Sequence, residues 1–132
     1  MARRDLTIGA VSKSTGCNTE TIRYYERIGL LDAPARTSGG HRVYTPDQVK
    51  QLAFVRRCRE LGFGLEDVRS LMELAEGHAG SCETVKNIAL EHVGDVRRKI
   101  NDLRRMETRL RDLASKCVGD TVPACPVIEA LY

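Results

Sequence analysis

Apolar positions along this chain fall into two regimes of spacing, one before Cys82 and one after it, and each predicts a different kind of structure. In "LTIGAVSKSTGCNTETIRYYERIGLL" they fall three and four residues apart in two short runs. Thr7 is placed to cap the first helix, whose apolar face is Ile8, Ala10 and Val11, and Gly16 to stop it. Asn18 or Thr19 caps a second helix that turns Ile22 and Tyr25 inward and ends at Gly29. Two helices of about eight residues around a glycine-containing turn form the helix-turn-helix pattern. Many all-α domains contain such a pair without touching DNA.

The spacing then shortens. "LDAPARTSGGHRVYT" carries turn residues at Pro34, Ser38, Gly39 and Gly40, followed by alternation in "HRVYT", which predicts a short hairpin or wing. Helical spacing returns in "TPDQVKQLAFVRRCRELG", with Thr45 as cap and Pro46 at the first helical position, and a Gly62 stop. "GLEDVRSLMELAEG" predicts another short helix, with Leu65, Val68, Leu71 and Met72 on one side.

The second regime begins at Cys82. From there to Cys117 there is no proline, and the single glycine is Gly94. Positions 82, 85, 89, 92, 96, 99, 103, 106, 110, 113 and 117 step by three and four without a break. That is a heptad seam, which predicts one long coiled-coil helix. His92 reads as a residue of this interface, and Ile100 can take over packing where Lys99 fits the seam poorly.

Composition changes this picture in three ways. Charged residues are 30% of the 132-residue chain and aromatics 5%, with no tryptophan, a thin supply of bulky core that suits helices completing their burial in a dimer. Residues 1–62 hold eleven Lys and Arg against six Asp and Glu, a basic balance expected of a nucleic-acid binder, whereas the remainder is slightly acidic. No apolar run reaches the length of a membrane span and the N-terminus lacks the form of a signal peptide, so a cytoplasmic location is expected. With three histidines, no phosphate loop and no Ser/His/Asp cluster, the chain is not expected to be an enzyme.

Five cysteines, an odd number in a reducing compartment, argue for metal or redox chemistry over a disulfide framework. Cys17 and Cys58 read as packed thiols. In "CVGDTVPAC", Cys117 and Cys125 are close enough in sequence to form a metal clamp or a redox disulfide, and metal is the preferred reading. Gly119 permits a tight turn, Pro123 stiffens the return, and "PVIEALY" with Pro126 at its first position is placed to cover the site as a final helical turn. Cys82 lies on the same seam but about 50 Å away along one helix, so within one chain it cannot join them. In an antiparallel pair of these helices, Cys82 of one subunit would face Cys117 and Cys125 of the other. Three thiolates select soft ions such as Hg²⁺, Pb²⁺, Cd²⁺ or Zn²⁺.

These stretches, together with "GGHRVYTPDQVKQLAFVRRCRELGFGLEDVRSLM" and the ending "CPVIEAL", resemble the metal-responsive branch of the MerR family of transcriptional regulators from about Leu6 onward. The resemblance implies a mainly α fold. It has a winged helix-turn-helix DNA-binding domain over residues 1–75, a hinge at 76–81, a long antiparallel coiled-coil dimerisation helix at 82–117, and a metal-binding loop with a short terminal helix at 118–132. It implies a homodimer on double-stranded promoter DNA, working with RNA polymerase at that promoter, in which bound metal distorts the DNA and turns repressor into activator. Recognition-helix candidates are Thr19, Thr21, Arg23, Tyr24 and Arg27, and wing candidates are Arg42 and Tyr44, with Lys13 and Arg56 as further phosphate contacts. The implied metal ligands are Cys117, Cys125 and the partner subunit's Cys82, with Hg²⁺ ahead of Pb²⁺, Cd²⁺ and Zn²⁺. Copper(I)-sensing members are similar in loop length but carry serine where Cys82 stands. The alternatives are copper(I) sensing on the same scaffold, or a thiol redox switch through Cys117 and Cys125.

Overall fold

The computed structural model describes residues 5–77, 80–117, 119 and 125–132. They form two compact units, Met1–Val85 and Lys86–Tyr132. The fold is mainly helical with one small sheet. In the first unit the order is β1 (Leu6–Thr7), α1 (Ile8–Thr15), α2 (Thr19–Arg27), β2 (Ala35–Arg36), β3 (Arg42–Tyr44), α3 (Pro46–Glu60) and α4 (Leu65–Ala75).

Each helix starts where a side chain satisfies the backbone donors that helix geometry leaves open. Thr7 Oγ1 accepts from the Ala10 amide at 3.2 Å, and Asn18 Oδ1 accepts from the Glu20 amide at 2.7 Å. At α3 the Thr45 hydroxyl accepts from the Gln48 amide while the Gln48 side chain accepts from the Thr45 amide, a reciprocal capping box with Pro46 leading the helix. The wing expected around residues 35–44 is an antiparallel pairing of β2 with β3, Ala35 opposite Val43 and Arg36 opposite Arg42. Leu6–Thr7 adds a third strand that hydropathy did not indicate, giving the order β1-β3-β2 with Leu6 opposite Tyr44. Two residues are too few to display a period, so only the tertiary partner reveals this strand.

The core of the first unit lies where α1, α2 and α3 meet under the sheet, and α4 closes it against α3. Val11, Ile22, Leu52, Val55 and Val68 have no solvent exposure, and Leu31 and Tyr44 have almost none. Burying a side chain of this size contributes about 1.5–3 kcal/mol each before conformational entropy is subtracted.

The second unit is dominated by α5 (Cys82–Ser115), which begins in the first unit, followed by α6 (Pro126–Leu131). α5 stops two residues short of the expected end. Lys116 and Cys117 instead donate to the carbonyls of Leu113 and Ala114, tightening the last turn so that Cys117 sits just beyond the helix. Its exposed faces carry same-helix ion pairs, among them Asp95–Arg98, Asp102–Arg105 and Asp112–Lys116. Exposed pairs of this kind contribute only about 0.2–0.5 kcal/mol each, so they do not by themselves account for a helix of this length. Its apolar stripe stays largely uncovered in the single chain: Leu103, Met106 and Leu110 are 61%, 58% and 57% exposed. Only Leu113 is buried, at the end where Ala130 and Leu131 of α6 share an apolar recess of about 410 Å³ with it. No helix among the described residues is long and apolar enough to cross a membrane.

Gly16 closes α1 with φ of 73°, and a Cβ there would run into the guanidinium of Arg56, which donates to the carbonyl of Thr15. Gly16→Ala is therefore expected to lower the unfolding free energy by about 1–2 kcal/mol from the left-handed backbone alone. Combined with Arg56→Ala it costs less than the two single losses together, because both sever the same contact. Urea unfolding of the single and double variants measures both effects.

Candidate nucleic-acid interface and thiolate pair

The basic motif occupies one face of α2. With Ile22 and Tyr25 turned into the core, helical geometry leaves Glu20, Arg23, Tyr24 and Arg27 on the outer side at i, i+3, i+4 and i+7. The Arg27 guanidinium carbon lies 5.9 Å from the centroid of the Tyr24 ring, and Tyr24 meets Tyr25 at 6.0 Å between centroids. These contacts hold Tyr24 and Arg27 in place at the surface. Thr19 and Thr21 are half-buried in the first turn of the helix, and Lys13 is exposed in the last turn of α1.

Two of the expected phosphate contacts are already engaged within the fold. Tyr44 is 1% exposed and its hydroxyl donates to Glu26 Oε1, so it does not offer that hydroxyl at the surface. Arg42, two residues before it on the same side of β3 and 29% exposed, reaches the same carboxylate, its Nε donating to Glu26 Oε2 at 3.2 Å. Tyr44, an expected wing contact, lies in the core at the strand position opposite Leu6, with its hydroxyl engaged by Glu26. Arg56 likewise donates to the Thr15 carbonyl and pairs with Glu60 at 3.0 Å, which commits its guanidinium to joining α3 to the end of α1.

Glu26 is thus the residue that sequence reading missed. It joins the recognition helix to the wing, with its side chain 10% exposed. The signal was a carboxylate set between Arg23 and Arg27 on the helix, since an acid that is partly buried there needs donors of its own. Burial, then the hydrogen bond and charge of Glu26, push the Tyr44 phenol well above its ordinary range, against smaller opposing effects of Arg42 and Arg23. Tyr44 therefore remains a neutral donor. Arg69 of α4 was also missed. It donates to the carbonyls of Ile28 at 2.8 Å and Gly29 at 3.3 Å, covering the C-terminal end of α2.

The thiols divide into two groups. Cys17 and Cys58 are buried and free, and burial pushes the Cys58 thiol up, only partly offset by Arg57. Cys117 and Cys125 lie within hydrogen-bond reach of each other. Cys125 stands at the cap position of α6, where the backbone amides of Ile128 and Val127, and then the Cys117 thiol, draw its pKa below the ordinary value. Low-pKa thiols at a helix start favour the thiolate, the form that binds soft metals. Cys82, the first residue of α5, is exposed. Among the described residues no three His, Cys, Asp or Glu side chains converge to hold a metal ion, and the Cys117–Cys125 pair has no third such group beside it.

A helix-turn-helix with a basic outer face beside a β-wing is the architecture of a winged helix-turn-helix DNA-binding protein. Residues 6–75 match the family model described as MerR HTH family regulatory protein, and residues 49–113 match that described as MerR, DNA binding. The chain is 40% identical over 126 residues to heavy metal-dependent transcription regulator 2 of Rhizobium meliloti (strain 1021), covering 96% of this chain and 86% of that one. It is 38% identical over 125 residues to the mercuric resistance operon regulatory protein of Bacillus cereus, covering 94% and 95%. The crystal structure of the transcription regulator PbrR691 from Ralstonia metallidurans CH34, in complex with lead(II), superposes with a TM-score of 0.78 at 34% identity, covering 96% of this chain and 99% of that one. The chain belongs to the MerR family, whose members are DNA-binding transcription regulators and not enzymes.

The lowered Cys125 thiol predicts an order of reactivity. In stepwise-pH alkylation followed by peptide mass spectrometry, the half-labelling pH of Cys125 is expected to fall below that of a small-molecule thiol. Cys58 should label only at higher pH or after unfolding.

Proposed function

We propose that this regulator responds to a soft divalent metal ion and controls transcription of metal-resistance genes as a homodimer on promoter DNA. The observation that carries the reading is the pair of adjacent thiols, Cys117 and Cys125, set just past the end of α5 with Cys125 at the start of α6. Two thiolates call for a third, and Cys82 of the partner subunit is the proposed source. The uncovered stripe through Leu103, Met106 and Leu110 is the surface on which two antiparallel α5 helices would meet. The names of the relatives range over mercuric resistance and heavy-metal dependence, and one related structure holds lead(II), which supports a soft-ion ligand set. Mercury(II) is the leading candidate, followed by lead(II), cadmium(II) and zinc(II).

In this reading, the outer face of α2 enters the major groove, Arg23, Tyr24 and Arg27 supply base-edge and phosphate contacts, and Arg42 on the wing and Lys13 supply further phosphate contacts. Metal held between subunits ties the ends of the two α5 helices together and changes the separation of the two DNA-binding domains. Promoter DNA that must bend or untwist to follow them stores the signal as deformation, and RNA polymerase at the same promoter reads it.

Titration of the apo-dimer with Hg²⁺, Pb²⁺, Cd²⁺, Zn²⁺ and Cu⁺, read as transcription from its own promoter, tests the function and ranks the metals. Cys82→Ser is expected to weaken divalent binding by more than the about 10–100-fold typical of losing an outer-shell partner, while operator affinity of the apo-protein stays intact. Normal metal response in that variant would remove the cross-subunit site. The Cys117–Cys125 adjacency also fits a redox couple, and its signature is loss of the two thiol hydrogens in intact mass under mild oxidant, with transcription following redox poise instead of metal.

A further inference from the structure

Glu26 presents an electrostatic puzzle. It lies on the helix proposed to enter DNA, between Arg23 and Arg27, and its negative charge opposes approach to phosphate. Yet both of its oxygens are satisfied by the wing: Oε2 by Arg42 Nε at 3.2 Å and Oε1 by the Tyr44 hydroxyl. Tyr44 is locked in the core as the strand partner of Leu6, so its hydroxyl is a fixed point from which the carboxylate is aimed. The aimed carboxylate in turn fixes the plane of the Arg42 guanidinium through Nε alone. Its two terminal amino groups have no other hydrogen-bond partner among the described residues. Arg23, one turn before Glu26, lies near enough to oppose the upward shift of the Tyr44 phenol, so Arg23 and Arg42 flank the same buried anchor.

We propose that Glu26 is a positioning residue for DNA binding: it holds the wing's Arg42 as a pre-aimed phosphate fork at a fixed distance from the recognition helix. This rests on the DNA-binding reading of α2 and the wing. An arginine on a two-stranded wing otherwise loses much rotamer freedom when it grips a phosphate, and a guanidinium already oriented loses less. The loss of attraction caused by the carboxylate is offset because its charge is spent on Arg42 and the Tyr44 hydroxyl, both close and half-desolvated.

The two accounts of Glu26 predict opposite signs. If it acts only as a surface charge, Glu26→Gln removes a repulsion and tightens DNA binding. If it positions Arg42, the same change weakens binding, because an amide has one acceptor oxygen for two donors and turns its own NH₂ toward one of them.

The test uses the full chain and a duplex selected by the wild-type protein from a random-sequence pool, with affinity measured across a salt series. Glu26→Gln is expected to bind about tenfold more weakly, the scale of one charge-assisted hydrogen bond, and to lose about 0.9 from the slope of log affinity against log salt. Arg42→Gln should lose the same slope, and the double variant should lose no more than either alone. Tyr44→Phe removes the fixed point that aims the carboxylate but keeps the Arg42–Glu26 pair, so it should lose part of the same slope and less than Glu26→Gln does. Thermal unfolding accompanies each variant, since a merely structural role would lower stability and affinity with the salt slope intact. Equal or tighter binding by Glu26→Gln, or weaker binding at an unchanged slope, overturns the proposal while leaving DNA binding in place. Failure of the wild-type chain to select any duplex overturns the DNA-binding reading and this proposal with it.

Discussion

The hydrogen bond from the buried Tyr44 hydroxyl to Glu26 is the interaction on which the first unit's geometry turns. A phenol taken out of water needs an acceptor, and a carboxylate held at 10% exposure needs donors. Each answers the other's requirement. Because one sits on β3 and the other on α2, satisfying both sets the distance between wing and recognition helix. The three-stranded sheet follows from the same placement, since β1 pairs with β3 at Leu6 opposite Tyr44 and closes the core above Val11 and Ile22. Arg56 and Arg69 complete the frame by covering the open carbonyl ends of α1 and α2 from the next two helices. The helix-turn-helix is therefore held by polar contacts at its ends and apolar contacts at its centre.

The second unit is governed by a different constraint. α5 carries an apolar stripe along its length that the single chain covers only near Leu113. Its surface ion pairs are too weak to replace that missing burial, so the helix is built for a surface outside its own fold. The thiols are distributed on the same plan, with Cys82 opening the helix and Cys117 and Cys125 gathered just beyond its end. In the proposed metal site, two sulfurs lie together in one chain and the third ligand comes from the partner subunit. In the proposed homodimer, one assembly step covers the stripe and completes the ligand set. On that proposal, metal occupancy is tied to the relation between subunits, and through it to the promoter.

Much of this organisation was readable from local chemistry. Thr7, Asn18 and Thr45 announce helix starts because a side-chain oxygen two or three residues before an open amide is a short-range requirement. Gly16 announces a stop because the left-handed backbone excludes most other residues. The seam from Cys82 is visible because a seven-residue repeat persists over many turns. Other roles depend on distant partners. A tyrosine suits both a phosphate contact and a core, and Tyr44 sits in the core because Glu26 offers its hydroxyl an acceptor there. A basic residue such as Arg56 does not reveal from sequence whether its partner is a phosphate or a backbone carbonyl forty-one residues away. Glu26 and Arg69 were passed over for the same reason, and β1 was too short to register.

The amino-acid sequence by itself determined the succession of helices, the wing, the long heptad helix and the thiols that end it, because caps, turns and periodicity act within a few residues along the chain. Only the tertiary structure decided which charges face outward and which are consumed inside. It brought Glu26 to Tyr44 and Arg42, Arg56 to Thr15, and Cys125 to Cys117 at the start of α6. Those pairings depend on desolvation and on approach between distant segments, and a polar residue acquires its role only when its partner arrives.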